Sequence, residues 1–203
     1  MDNKVLKTIE SLEKNKFSAK YFETSNEAVD YLLSKIPSDA SVGIGGSMTV
    51  KSLLIPEKLK DRGNKVLFHW LASGTGEMNS IRKEALNADF YLSSTNALTM
   101  EGKLVNIDGA GNRVAGMFSG PKNVFIVCGV NKITENTDDA LKRVKSIVHL
   151  NTKRLNLNTP CARTEECHDC KVSQRICNIT AIIDYKPSLT DIEVIIINED
   201  LGF

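Results

Sequence analysis

Four of the five cysteines crowd into one stretch, Cys161-x5-Cys167-x2-Cys170-x6-Cys177. A Cys-x2-Cys pair places two thiolates on one turn, and the two outer cysteines complete a four-ligand set. Zinc and iron–sulfur clusters both take four thiolates, so Cys161, Cys167, Cys170 and Cys177 read as candidate metal ligands. His168, between the middle two, could replace one of them. The spacing matches none of the common ferredoxin runs, and a redox disulfide or inert buried thiols are competing readings. Cys128 sits inside an apolar run and reads as a packing residue.

A second group of residues is rich in glycine, asparagine and acid. Gly45-Gly46-Ser47-Met48-Thr49 falls where a strand is expected to meet a helix. Glycines there let the backbone approach a ligand, Ser47 can cap the helix, and free N–H groups of the first turn can face an anion. A tight turn with a cap is the plainer alternative. The pattern is neither a P-loop nor the spaced-glycine dinucleotide fingerprint. Downstream come Asn96, Glu101, Asn106, Asp108, Asn112 and Arg113, set among further glycines. Polar groups after strand ends are where open parallel sheets bind ligands, although Asn and Asp also serve turns for their own sake. Glu101 is a candidate nucleophile or base, and Asp108 a candidate base. Arg113, with its planar fork, is suited to grip a carboxylate bidentately. His69, beside Trp70 in a buried-looking strand, is expected to find a hydrogen-bond partner rather than a substrate. His149 is expected to close a helix, where a cation suits the dipole.

Positioning these residues falls to an alternation of helices and strands. Residues 3–15 read as an amphipathic helix from Val5, Leu6, Ile9 and Leu12. Thr24 and Glu27 form a capping box ahead of Ala28, Val29, Leu32 and Leu33. Strands are expected over 41–44, 65–70, 89–93 and 124–128. Helical spacing recurs at Val50, Leu53 and Leu54 until Pro56 interrupts it, and again over 77–86 and 138–150. Residues 103–107 and 113–118 are expected to pair as a hairpin around the turn 108–112. Two strands, 179–185 and 192–198, end the chain. Such alternation implies an α/β fold, a mostly parallel sheet flanked by helices with a β-hairpin and a Cys-rich loop near the C-terminus, in one domain over residues 1–203.

Composition narrows the class. Hydrophobic residues at 41% and charged residues at 25% exclude wholesale disorder. Lys+Arg 26 against Asp+Glu 25 gives a net charge of +1, too small a surplus for a general nucleic-acid binder. No apolar run approaches the ~18 residues of a membrane span, and Met1–Lys7 is too polar for a secretory signal. The expectation is a cytoplasmic protein with no membrane or nucleic-acid partner. In that compartment clustered thiols point to metal or redox work.

Several motifs together resemble a known family. Gly45-Gly46-Ser47-Met48-Thr49, Asn96-Ala97-Leu98-Thr99, Asn106-Ile107-Asp108-Gly109 and Gly111-Asn112-Arg113-Val114-Ala115 resemble the lactate-utilisation (LUD) domain. So do Gly129-Val130-Asn131-Lys132 and the tail Asn198-Glu199-Asp200-Leu201-Gly202. The resemblance runs from about the first helix to the C-terminus. It implies a fold related to ribose-5-phosphate isomerase, glucosamine-6-phosphate deaminase and CoA transferases, in which the Gly45–Thr49 position contacts phosphate or CoA groups. It adds Lys132 to the expected substrate-binding set of Gly45, Gly46, Ser47, Thr49, Asn96, Asn106, Asn112 and Arg113. Family members occur as subunits of an iron–sulfur system that oxidises lactate to pyruvate. Larger members carry a ferredoxin-like segment with tandem four-cysteine runs; this chain lacks it and resembles the short, stand-alone members.

Three functions follow as expectations. The first is a subunit in oxidation of lactate or another small hydroxy acid, binding an anionic small molecule and working with iron–sulfur or flavin partner subunits. The second is an isomerase or transferase acting on a phosphorylated or CoA-linked metabolite. The third is a non-enzymatic sensor whose cysteines report metal or redox state. A homo-oligomer is compatible with each. The absence of a nicotinamide or flavin fingerprint counts against self-contained redox catalysis.

Overall fold

The computed structural model describes residues 1–203 and begins with α1 (Asn3–Lys14), capped by the Asp2 side chain. β1 (Ser18–Phe22) leads to α2 (Ser25–Lys35). The capping box there is complete, with Thr24 accepting from the Glu27 N–H and Glu27 accepting from the Thr24 N–H. Then follow β2 (Ser41–Ile44), α3 (Met48–Ser52), α4 (Ile55–Asp61), β3 (Lys65–Phe68), α5 (Thr75–Glu84) and β4 (Phe90–Ser93). The chain continues through β5 (Ala97–Thr99), β6 (Leu104–Asp108), α6 (Asn112–Phe118), β7 (Asn123–Gly129) and β8 (Ile133–Thr134). It ends with α7 (Thr137–Arg154), α8 (Pro160–Thr164), β9 (Ile179–Ile183) and β10 (Asp191–Ile197).

Two sheets result. The larger is wholly parallel, in the order β1-β10-β7-β4-β2-β3. Its central strand β7 is a continuous apolar run, Val124–Cys128, as a strand covered on both faces must be. Val5, Leu12, Tyr91, Met117 and Ile126 pack on one face. Val29, Leu32, Ile44, Phe125 and Ile195 pack on the other. The smaller sheet, β8-β5-β6-β9, is mixed, with β6 antiparallel to both of its neighbours. α7 covers it, Ala140 and Val144 meeting Ala97 and Val105. The molecule is thus an α/β fold with a mostly parallel sheet between helices. No helix is long and apolar enough to cross a membrane.

Three segments depart from expectation, each for a local reason. Residues 113–118 form a helix, not the second arm of a hairpin. The Asp108 carboxylate accepts from the Gly111 N–H at 2.8 Å and the Val114 N–H at 3.2 Å, and Gly111 at φ +84° turns the chain into α6. β6 forms its hairpin with β5 instead. β1 lacks a period-two apolar pattern because it is an edge strand without a buried residue. β3 ends at Phe68, and His69–Leu71 turn away as a 3-10 helix, taking His69 out of the strand.

Candidate functional site

Parallel neighbours end at one edge, so the loops that leave them meet there. Loops after β2, β3, β4 and β7 bring Ser47, His69, Ser94 and Lys132 to the wall of one cavity of about 430 Å³. That volume lies within the ~300–1,000 Å³ of small-molecule pockets. The opposite wall comes from Asp108 at the end of β6, from Val144, Val148 and Arg154 on α7, and from Arg175 and Ile176 before β9.

Lys132 forms the floor. It is 4% exposed and donates to Thr49 Oγ1 at 2.8 Å and Ser94 Oγ at 3.1 Å. Burial pushes its pKa down to about 8; Cys128 opposes the fall, while Arg143 and Arg113 add to it. Beside it, Ser47 Oγ accepts from the Val50 N–H at 3.1 Å and caps α3. α3 has only five residues and presents little aligned dipole. Gly46 runs under two rings: a Cβ there would stand 3.2 Å from Trp70 and 3.3 Å from His69 Cε1. His69 is buried, and its pKa falls to about 4, first through burial and then through Arg82, with Asp108 opposing and Arg154 assisting.

Arg113 corrects the expectation of a free carboxylate grip. Its Nη1 donates to Ser94 O at 2.9 Å and Asn106 Oδ1 at 2.7 Å. Its Nη2 donates to Asn96 Oδ1 at 2.8 Å and Ile107 O at 2.7 Å. Nε stands 3.7 Å from Asp108 Oδ2. The fork is filled by the protein, so Arg113 binds the cavity's own wall together. Gly45 belongs to this layer rather than to the lining: a Cβ there would meet Arg113 Cγ at 2.8 Å and Ser93 Oγ at 2.9 Å. Asn106 is fully buried below the lining, with Oδ1 accepting from Arg113 and the Asn96 N–H, and with Nδ2 unpartnered. Asn96 accepts from Ile107 N–H and Arg113 through Oδ1, leaving its Nδ2 uncommitted; the Asn112 side chain makes no protein hydrogen bond.

Of the residues singled out by sequence, Gly46, Ser47, Thr49, Asn96, Asp108, Asn112, Arg113 and Lys132 therefore line one cavity. Glu101 does not. It lies in the β5–β6 turn, at the opposite end of β6 from Asp108, exposed and beside Lys103 and Thr137. It therefore stands outside the cavity that the other candidates line.

The four cysteines divide, with Cys161 apart in α8 and the other three in the loop that follows. Cys161, in α8, is buried with Sγ 3.3 Å from Thr159 Oγ1 and 3.7 Å from Thr152 Oγ1. Cys167 is exposed, and Cys170 and Cys177 are half-buried in the loop that follows. Burial raises the Cys177 thiol pKa; Arg175 opposes, and Cys167 and Cys170 add to the rise. No group of three or more His, Cys, Asp or Glu stands in metal-holding geometry. His168 is taken by Thr164 at 2.8 Å. Every cysteine is a free thiol. Arg175 ties this loop to the cavity by donating to Cys170 O and Cys177 O while lining the pocket.

Sequence reasoning missed Trp70, Arg82, Ser94 and Arg154 as lining residues. For Arg154 a signal existed. The apolar stripe through Val144, Ile147 and Val148 continues in α7 with Asn151 and Arg154, so the same face turns polar as it leaves the core. Ending that helix at residue 150 hid the change.

No curated protein matches the chain. Among solved structures it is similar to a DUF162 family protein from Deinococcus radiodurans, at 9% identity and a TM-score of 0.55, covering 96% of each chain. That likeness speaks for the fold alone. The family model of the LUD domain matches residues 5–197. With nearly its whole length matched in this way, the chain belongs to the LUD domain family.

Proposed function

We propose that the cavity receives a small organic anion, and that the chain thereby serves the use of lactate or a related hydroxy acid, to which the LUD family is linked. One observation carries the reading: Lys132 is a buried ammonium held only by two hydroxyls. A buried charge without a counter-ion is costly, and an incoming carboxylate supplies the missing partner. At pH 7, below its pKa of about 8, the group is mainly protonated and ready for that role. Asn96 Nδ2 and the Asn112 side chain suit the ligand's hydroxyl or carbonyl oxygen. Asp108 keeps carboxylate lone pairs free beyond its two backbone bonds and can accept a hydroxyl proton. In this reading the acceptor of the two electrons belongs to a partner subunit.

The second reading, an isomerase or transferase acting on a phosphorylated or CoA-linked metabolite, is favoured by the cavity's size, well above what a three-carbon acid fills. Thermal denaturation with lactate, pyruvate and glycolate tests the first. A ligand at a hundredfold excess over its Kd adds about 2.7 kcal/mol, an upward shift of several degrees that Lys132→Met should abolish. If none of the three acids shifts the wild-type transition, the hydroxy-acid reading is lost.

A further inference from the structure

We infer that the cavity contains a second anion subsite at its mouth, formed by Arg82, Arg154 and Trp70, and that its ligand is an acid that also carries a phosphoryl group. The inference rests on the reading of the cavity as a ligand site and specifies what enters it.

The first ground is charge. Arg82, Arg113, Lys132, Arg154 and Arg175 line the cavity, against one acidic side chain, that of Asp108. Asp108 pairs with Arg113, and Asp169 stands 3.0 Å from Arg175. Lys132, Arg82 and Arg154 have no such partner. A hydroxy acid brings one negative charge, which answers Lys132 and leaves two arginines facing the same space.

The second ground is placement. Lys132 is buried, whereas Arg154 is exposed and stacks on Trp70. The charges that act on Lys132 are those of Arg143 and Arg113. Those that act on His69 are Arg82 and Arg154, with Asp108 opposing them. The cations therefore fall into two groups, Lys132 buried on the Thr49 and Ser94 hydroxyls, and Arg82 and Arg154 around His69 and Trp70. A ligand that satisfies both has an anionic group at each end.

The third ground is that the outer cations are held in place yet under-used. The Arg154 guanidinium lies 4.6 Å from the Trp70 ring centroid and donates through Nε to Asn151 Oδ1. Arg82 donates only to Asn79 Oδ1, at 3.2 Å, and its buried Nε has no partner. Stacking fixes a guanidinium while leaving its edge donors free, and paired guanidinium edges match the tetrahedral oxygens of a phosphoryl group. The carboxylate of such a ligand reaches Lys132, and the phosphoryl group reaches Arg82 and Arg154.

Calorimetric titration of the full chain with lactate, 2-phosphoglycolate and inorganic phosphate tests this. In the wild type, 2-phosphoglycolate is expected to bind about tenfold tighter than lactate, or more, since each tenfold is ~1.4 kcal/mol. R82Q/R154Q should remove that advantage and leave lactate affinity within about threefold. K132M should weaken both acids, and inorganic phosphate should respond to R82Q/R154Q alone. If circular dichroism shows the double variant unfolded, R82Q alone should still weaken 2-phosphoglycolate selectively. Equal affinity for the two acids, or an advantage that survives R82Q/R154Q, overturns the subsite while leaving the hydroxy-acid reading intact. Binding of neither acid overturns that earlier reading and the subsite with it.

Discussion

Arg113 has the residue type and the location of a carboxylate clamp, yet all four terminal donors end on Ser94, Asn96, Asn106 and Ile107. Lysine has three donors on a compact head and cannot reproduce this fork. Arg113→Lys should strand buried acceptors, each costing ~1–3 kcal/mol, and lower stability by about 2–4 kcal/mol in urea denaturation. A loss below about 1 kcal/mol would mean the network is dispensable and the fork free for ligand. Gly45 shares the logic: its missing side chain is the room through which the Arg113 stem passes. No spacing rule separates an arginine with open donors from one whose donors are filled. The distinction depends on the carbonyls of Ser94 and Ile107, which only the assembled sheets bring within reach. Asp108 is similar, legible as an acid near a turn but not as the group that starts α6.

At the scale of elements, strands buried on both faces were legible because their composition answers to burial alone, as in Val124–Cys128. Elements that depend on one side chain or on a distant neighbour were not. α6 depends on one carboxylate and one glycine, and β1 on a neighbour, β10, far away in sequence. The cysteine-bearing segment divides in the same way. Pro160 opens α8, and the helix turns Cys161 inward against Thr152 and Thr159, away from the loop that carries the other three. Thiol labelling of the native protein should follow this division. Cys167 and Cys170 are expected to react first, and Cys177 more slowly because burial raises its pKa. Cys161 and Cys128 should react only after unfolding. Mass mapping of a partial reaction reads the order. Fast labelling of Cys161 would show α8 loose enough to bring all four sulfurs together.

Across the whole molecule the site exists because one sheet is parallel. Its strands point their C-terminal ends to one edge, so Ser47, His69, Ser94 and Lys132, spread over 85 positions from residue 47 to residue 132, become neighbours around one space. The meeting of Ser47 and Lys132 at that edge was legible from the order of elements and motifs; His69, Ser94 and the wall supplied by α7 and Arg175 were not, since they depend on where β3 and β4 end and on the second sheet. The burial of His69 at this edge, with Arg82 and Arg154 adding to it, leaves a mark on stability that titration can read. His69 is held near pKa 4 in the folded chain against 6.5 for an ordinary histidine. Between those values the unfolded chain binds more protons, so acidification favours unfolding. The penalty is absent above pH 6.5, grows as pH falls and is complete near pH 4, at roughly 1–3 kcal/mol. Lys132 adds nothing to that slope, because its folded pKa of about 8 and ordinary value of 10.5 both lie above the window. His69→Gln keeps a polar side chain without the titration. Urea denaturation of wild type and variant at pH 7.0 and about pH 4.5 should therefore show the variant losing less stability on acidification, by an amount within that range. Equal losses in the two proteins would mean that His69 is not held buried beside Arg82 and Arg154 in the folded chain, and its place in the cavity wall would have to be withdrawn.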